Sequence, residues 1–349
     1  MIFCGDTTFP FSDNVESLLK LPVDFKNAAK IVNLEALILD SNLPKKTTGI
    51  ALSNSPNVLG FLQDFNVIGA SLANNHICDF DLSIDGQLER LKIAGVTGFG
   101  AGDCISKAAS PFVYEEKGEV FLVLTFGWNV IGCTYATDYS PGVNPMEPSY
   151  VIKQATYFLN ENPGANIIIT FHNNYEFELY PQPAHRSLFF DLIELGVKAI
   201  FCHHPHIVGG CEIYKGCPIF YSLGNFYLPE YQYNGYNLSY PEISREGLCV
   251  DYRKDISDIQ LHWTYKCQDN TLSLTCTESL SDSTKINLLT PFNGMSHSEY
   301  ILWFKLNRKK KKLLPIYRNY QSENEAAFNN FIVRHRQKTI DFLVGLGIK

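Results

Sequence analysis

Six short runs rich in β-branched and apolar residues alternate along this chain with longer amphipathic segments, and that rhythm restricts the fold more than any other feature. The runs are Ile2 to Cys4, Ile31 to Leu34, Val67 to Leu72, Val120 to Phe126, Asn166 to Phe171 and Lys198 to Cys202. Between them the apolar spacing predicts helices at about Ser55 to Phe65, Ser83 to Ala94, Glu147 to Asn160 and Ala184 to Leu195. Asn54-Ser55-Pro56 offers capping side chains and an early proline, while Gly95 and Gly196 stop two of the helices. Strands alternating with covering helices predict an α/β protein with central β-sheets covered by helices.

The residues at the ends of these runs carry the chemistry. The first run ends at Gly5-Asp6, the second at Glu35, the third at Asn74-Asn75-His76, the fifth at His172, and the sixth at His203-His204-Pro205-His206. In open α/β sheets the carboxyl edge is where ligands bind, so five of the six runs deliver a carboxylate, amide or imidazole to one place.

From about Gly235 the pattern changes. Gly247 to Tyr252, Ile259 to Tyr265 and Thr271 to Cys276 read as short antiparallel strands. We therefore expect a main domain over 1–234, an appended β region over 235–306 packed on it, and a basic linker with a C-terminal helix over 307–349. That helix is expected at Glu323 to Leu343, with Phe328, Phe331, Ile332 and Phe342 packing on the main body. The basic run Arg308 to Lys312 reads as a solvated linker.

The net charge of −7 argues against a nucleic-acid partner, which needs a basic face. The N-terminus lacks the pattern of a secretion signal, and no run approaches membrane-spanning length, so the expected location is cytoplasmic, with no integral membrane segment. The ten cysteines are scattered without zinc-finger spacing and are expected to be reduced, mostly buried thiols. Gly98, Gly100 and Gly102 lack a phosphate-loop context and read as a tight turn.

A site that hydrolyses phosphate esters with two metals needs oxygen and nitrogen ligands, a carboxylate shared by the ions, and an acid for the leaving group. Asp6, Glu35, Asn75, His172, His204 and His206 supply such a ligand set, leaving His76 as the candidate acid. Imidazole and carboxylate without thiolate favour manganese, iron or zinc. Asn74 is expected to support its loop, and His203 to support a ligand or touch substrate. Asn225 is a candidate substrate contact, and His185 is expected on a helix surface.

Eight ordered pieces over residues 3 to 226 resemble the poly-γ-glutamate synthesis protein CapA family of the calcineurin-like metallophosphoesterase superfamily. They are Gly5-Asp6, Asn33-Leu34-Glu35, Leu72 to His76 with Asp79, Gly98 to Gly102, His172 with Glu176, His203 to His206, Glu212-x-Tyr214-x-Gly216, and Tyr221 to Phe226. The resemblance implies a layered metallophosphoesterase-like fold with two divalent ions per chain. Asp6 and His206 would serve one ion, and Asn75, His172 and His204 the other. Glu35 would stand where the superfamily has a bridging aspartate, His76 would be the general acid, and Glu176 would orient a ligand or hold substrate. It further implies a phosphomonoesterase or phosphodiesterase linked to bacterial capsule or surface-polymer synthesis, with an anionic small molecule or polymer as substrate and polymer-synthesis proteins as partners. A non-hydrolytic accessory role and metal-dependent amide hydrolysis are the alternatives.

The sequence departs from the family pattern in four places. Thr8 replaces a superfamily histidine, as is general in CapA-like proteins. Asn173 and Asn174 stand where the family has tryptophan and glycine, and His185 and Gly209 stand where it has glutamine.

Overall fold

The structure is a computed structural model describing residues 1–13, 19–40, 50–309 and 314–345. The strands are β1 (Ile2–Thr7), β2 (Lys30–Leu34), β3 (Val67–Ser71), β4 (Thr97–Phe99), β5 (Phe112–Glu116), β6 (Glu119–Gly127), β7 (Asn166–His172), β8 (Ala199–His203), β9 (Cys211–Tyr214), β10 (Cys217–Phe220), β11 (Asn225–Tyr227), β12 (Glu246–Asp251), β13 (Gln260–Lys266) and β14 (Leu272–Ser279). The helices that position them are α1 (Val58–Asp64), α2 (Ile84–Ile93), α3 (Pro148–Glu161), α4 (Pro183–Leu195), α5 (Thr284–Leu289), α6 (His297–Asn307) and α7 (Glu323–Gly345).

Two mixed sheets stack face to face. One runs β14-β13-β12-β1-β2-β3-β4, with the short strand Leu19–Lys20 outside β14 and β11 beside β1. The other runs β9-β10-β8-β7-β6-β5. Side chains alternate across a strand, and the burial follows that period. Phe3 and Ile31 enter the layer between the sheets with Val123, Ile168, Phe201 and Val250. Ile2, Cys4 and Val32 turn outward beneath Val58, Leu62 and Leu91 of α1 and α2. On the far side Leu124, Ile167 and Ile169 meet Val151, Leu188 and Leu192 of α3 and α4. The result is a helix, sheet, sheet, helix sandwich. Phe3 and Phe201 stack at 4.1 Å between ring centroids and tie the two sheets together immediately below the strand ends.

The parallel register sets the site. Asp6 lies opposite Asn33 on β2 and Asn225 on β11, and His172 lies between Gly127 and His203. The close approach of β1 to the chain before β11 requires Gly5, where a Cβ would fall 2.1 Å from the Gly224 carbonyl oxygen. Gly98 and Gly102 lie in short strands rather than in a tight turn, and Gly100 bends the chain between them at φ +88, where a Cβ would meet Thr125 Cγ2 at 1.9 Å.

Several expectations change. The strands after Gly235 extend the first sheet directly, because β12 pairs antiparallel with β1 at Ile2 and Phe3. Strand structure in that segment ends at Ser279, and α5 and α6 follow; Tyr300 and Phe304 of α6 join the outer core around α4. On α7, Phe328, Phe331 and Phe342 are exposed rather than packed. Arg308 is buried and donates to the Leu314 carbonyl, so it is not a solvated residue; positions 310–312 of the basic run lie outside the described residues. All ten cysteines are free, five of them buried.

Candidate metal centre

Asp6 is fully buried at the end of β1, and both of its oxygens are engaged. Oδ1 accepts from Asn33 Nδ2 at 2.7 Å, and Oδ2 accepts from the His204 backbone N at 3.1 Å. His206 Nδ1 lies 3.1 Å from the same Oδ2 and 2.9 Å from Asn225 Oδ1. Facing two oxygen acceptors, that nitrogen carries hydrogen, which leaves Nε2 as the ligand-competent atom when the ring is neutral.

Glu35, just beyond β2, is also fully buried, yet neither carboxylate oxygen has a hydrogen-bond partner among the described residues. An unpaired carboxylate in such a place is costly. Burial, reinforced by the Asp6 charge, pushes its carboxyl up to about 7. Ligand atoms of Asp6, Glu35 and His206 all lie within 4.8 Å of one another. Two carboxylates this close attract positive charge. Although burial opposes it, Glu35 and Asp6 raise the His206 imidazole to about 10. Burial alone would raise Asp6; hydrogen bonding and charge from His206 bring it below the ordinary carboxylate range.

The other half of the cluster is neutral nitrogen and amide oxygen. His172 Nε2 sits 2.8 Å from Asn75 Oδ1 and 3.8 Å from Glu35 Oε1. The rings of His172 and His204 approach to 4.9 Å, and those of His204 and His206 to 5.7 Å. Burial and neighbouring imidazoles hold His172 and His204 well below the usual histidine range, so both present uncharged rings. His204 Nδ1 is buried without a partner among the described residues. Orphaned Glu35 oxygens, an orphaned imidazole nitrogen and a thiolate-free donor set fit hard or borderline divalent cations.

The backbone here is held in uncommon conformations. His204 has φ 93, His206 φ 57 and Ala36 φ 71, where non-glycine residues pay about 1–3 kcal/mol each. The loop after β8 is pinned by backbone bonds from Asn173 N to His203 O and from Phe177 N to Pro205 O, besides the bond to Asp6.

The remaining expected residues divide by position. His76 faces a cavity of about 1410 Å³ that also touches Asn75, His204, Glu176 and Tyr240. His76 Nδ1 lies 2.7 Å from Asp79 Oδ2; burial lowers this imidazole, but Asp79 outweighs it and raises it above the ordinary value. Glu176 is exposed on the cavity wall. Asn74 points away from the cluster, donating to Leu34 O and accepting from His76 N, so it joins the Glu35 and Asn75 loops. His203 lies beneath, with Nε2 3.2 Å from Cys4 O. Asn225 holds His206 and donates to Ser244 O.

His185, expected at a surface, is 5% exposed and meets the Trp128 ring edge-on at 4.6 Å. Its Nδ1 accepts from Asn173 Nδ2 at 2.9 Å, so two of the departures from the family pattern pair with each other. Asn174, where the family has glycine, has φ 75, a conformation asparagine tolerates better than most residues. Asn33 had no role in the sequence reading, although an amide within an apolar strand was a visible signal. Tyr240, 5.2 Å from the His206 ring, lies far along the chain and gave none.

No helix among the described residues is long and apolar enough to cross a membrane. The family model for the bacterial capsule synthesis protein PGA_cap matches residues 9–230. The capsule biosynthesis protein CapA of Bacillus anthracis is 28% identical over 190 residues, covering 53% of this chain and 46% of that protein. A probable polyglutamine synthesis accessory protein of Mycobacterium tuberculosis is 25% identical over 238 residues, covering 61% of this chain and 63% of that one. The chain spans about half the length of the Bacillus relatives it matches. Among solved structures, a hypothetical protein from Thermus thermophilus aligns with a TM-score of 0.41 at 13% identity, over 79% of this chain and 96% of its own. The match to the family model takes in the greater part of the chain, including Glu35, Asn75, His76, His172, His204 and His206, and the protein belongs to the bacterial capsule synthesis protein PGA_cap family.

Proposed function

We propose that the protein is a metal-dependent phosphoesterase acting on an anionic substrate in capsule or surface-polymer synthesis. The observation that carries this reading is the buried, hydrogen-bond-free Glu35 carboxylate between Asp6–His206 on one side and Asn75–His172 on the other. In this reading Asp6 and His206 would hold one divalent cation and Asn75, His172 and His204 a second, with the Glu35 carboxylate available to both. Bound manganese, iron or zinc would neutralise phosphoryl charge and make water a competent nucleophile at neutral pH.

The chain's own residues supply the rest. Asn33 and the His204 backbone N fix the Asp6 carboxylate, and Asn225 fixes the ring of His206. His76, whose protonated form Asp79 favours, faces the cavity where a leaving group would sit. Water oxygen joins phosphorus and gives up one proton to solvent while the ester P–O bond breaks; His76 passes its proton to the departing oxygen and is then reprotonated from solvent. Glu176 would contact substrate from the wall.

The test is turnover of phosphomonoester, phosphodiester and γ-glutamyl amide substrates with each metal added. Phosphate ester cleavage that disappears in Asn75→Ala and His204→Ala supports the reading. Metal binding without turnover favours an accessory role, the word printed in the name of the mycobacterial relative. Release of amine would identify an amide hydrolase.

A further inference from the structure

The cavity that opens over Asn75, His76 and His204 is closed on another side by the C-terminal helix, which lies beyond the family match. Asn330, Val333, Arg334 and Gln337 of α7 line it. Their spacing places them on one helical face, so the helix presents a continuous wall to the cavity. That wall is docked: Tyr317 Oη donates to Asn330 Oδ1 at 2.7 Å, and Asn329 Nδ2 donates to Ile316 O at 3.0 Å. The helix also packs against the short turn Asn129–Ile131, which follows β6.

Arg336 and Lys309 add two more cations to the lining. Neither Arg334 nor Arg336 has an ion-pair or hydrogen-bond partner among the described residues, whereas Arg318 of the preceding segment pairs with Glu325. Of the carboxylates lining the cavity, Asp79 is occupied by His76, leaving Glu176 as the opposing charge. The volume, about 1410 Å³, exceeds the roughly 300–1,000 Å³ of an ordinary small-molecule site. A lone phosphate would leave most of it unfilled.

Resting on the phosphoesterase reading, we infer that Arg334 and Arg336, each lining the cavity from the α7 side, provide anion-binding charge away from the cluster, and that the cavity selects substrates bearing a negative group remote from the reacting phosphoryl. Guanidinium groups suit this task because they pair with carboxylate or phosphate in bidentate geometry. The helix is thus a specificity element that lies outside the region matched by the family model.

Non-hydrolysable alkane diphosphonates of graded length, compared with alkyl phosphonates of the same lengths, test the inference without turnover. Binding is measured by calorimetry to the full chain with and without manganese. The expected result is that at least one diphosphonate binds about three- to tenfold tighter than its single-headed counterpart, as partly exposed cations allow. The preference should vanish in Arg334→Gln/Arg336→Gln and return in Arg334→Lys/Arg336→Lys, which keeps the charge and reports on folding. Equal affinities at every length in the parent protein, or a preference that survives the double glutamine variant, overturns the inference. Binding that ignores manganese counts against the metal reading instead, because the two-headed preference and its arginine dependence are read separately.

Discussion

Asp79 Oδ2 lies 2.7 Å from His76 Nδ1 and also accepts from the Leu52 backbone N at 2.9 Å. The carboxylate is therefore anchored by the main chain before it meets the imidazole, and it favours the protonated form of the ring. Because the charged form of His76 is the one Asp79 favours, its folded value lies above the ordinary one. If the protonated ring is the acid, activity falls as pH rises through that value.

Asp79→Asn should move this alkaline limb to lower pH, since the amide removes the charge that raises His76. A kcat–pH profile of the two proteins checks it. An unmoved limb would take His76 out of the proton-donor role.

Glu35 makes the stability of the metal-free protein depend on pH as well. Its carboxyl sits at about 7 in the fold, above the ordinary carboxylate value of an unfolded chain. The folded state then holds the extra proton, so its stability is greatest below that unfolded value and is lost as pH rises towards 7. Glu35→Gln should flatten this decline, which can amount to as much as about 3 kcal/mol. Denaturant unfolding at pH 5 and pH 8 in chelator measures it. The same substitution should remove most of the stabilisation that saturating metal gives the parent, about 2.7 kcal/mol at a hundredfold excess over Kd.

The pairing of Asn173 with His185 predicts energetic coupling. A double-mutant cycle with Asn173→Ala and His185→Ala should give an interaction of about 1 kcal/mol, because each single change strands a buried polar partner. Burial holds His185 down at about 3, so the coupling should not change between pH 5 and pH 8.

Arg186 and Glu212 form a buried bidentate pair at 2.6 and 2.7 Å, with Tyr221 Oη also donating to Glu212. This pair clamps α4 to β9 behind the site. Arg186→Met should cost about 3–5 kcal/mol by leaving Glu212 buried and unpaired, as seen by equilibrium unfolding. Glu212, one of the residues carrying the family resemblance, thus serves the scaffold.

The central strands and the convergence of Asp6, Glu35, Asn75, His172, His204 and His206 were legible because parallel strands put their carboxyl ends on one edge. Each boundary of β1 to β3 and β6 to β8 moved by only a few residues. The second helix-rich part was not legible: α6 sits in a run whose Trp303 and Tyr300 look equally suited to a strand, and tertiary packing on α4 decides. His185 was misplaced because one polar residue on a helix reads as surface until Asn173 is seen beneath it. The wall formed by α7 depends on residues some 130 positions from the last histidine of the cluster. No local pattern records that contact.

Calorimetric titration of manganese into the purified, chelator-treated chain, with the Glu35→Gln and His204→Ala variants alongside, addresses the metal centre most directly. The proposed roles predict two saturable sites per chain in the parent and loss of at least one in each variant. No saturable binding, or binding that both variants retain undiminished, would contradict them.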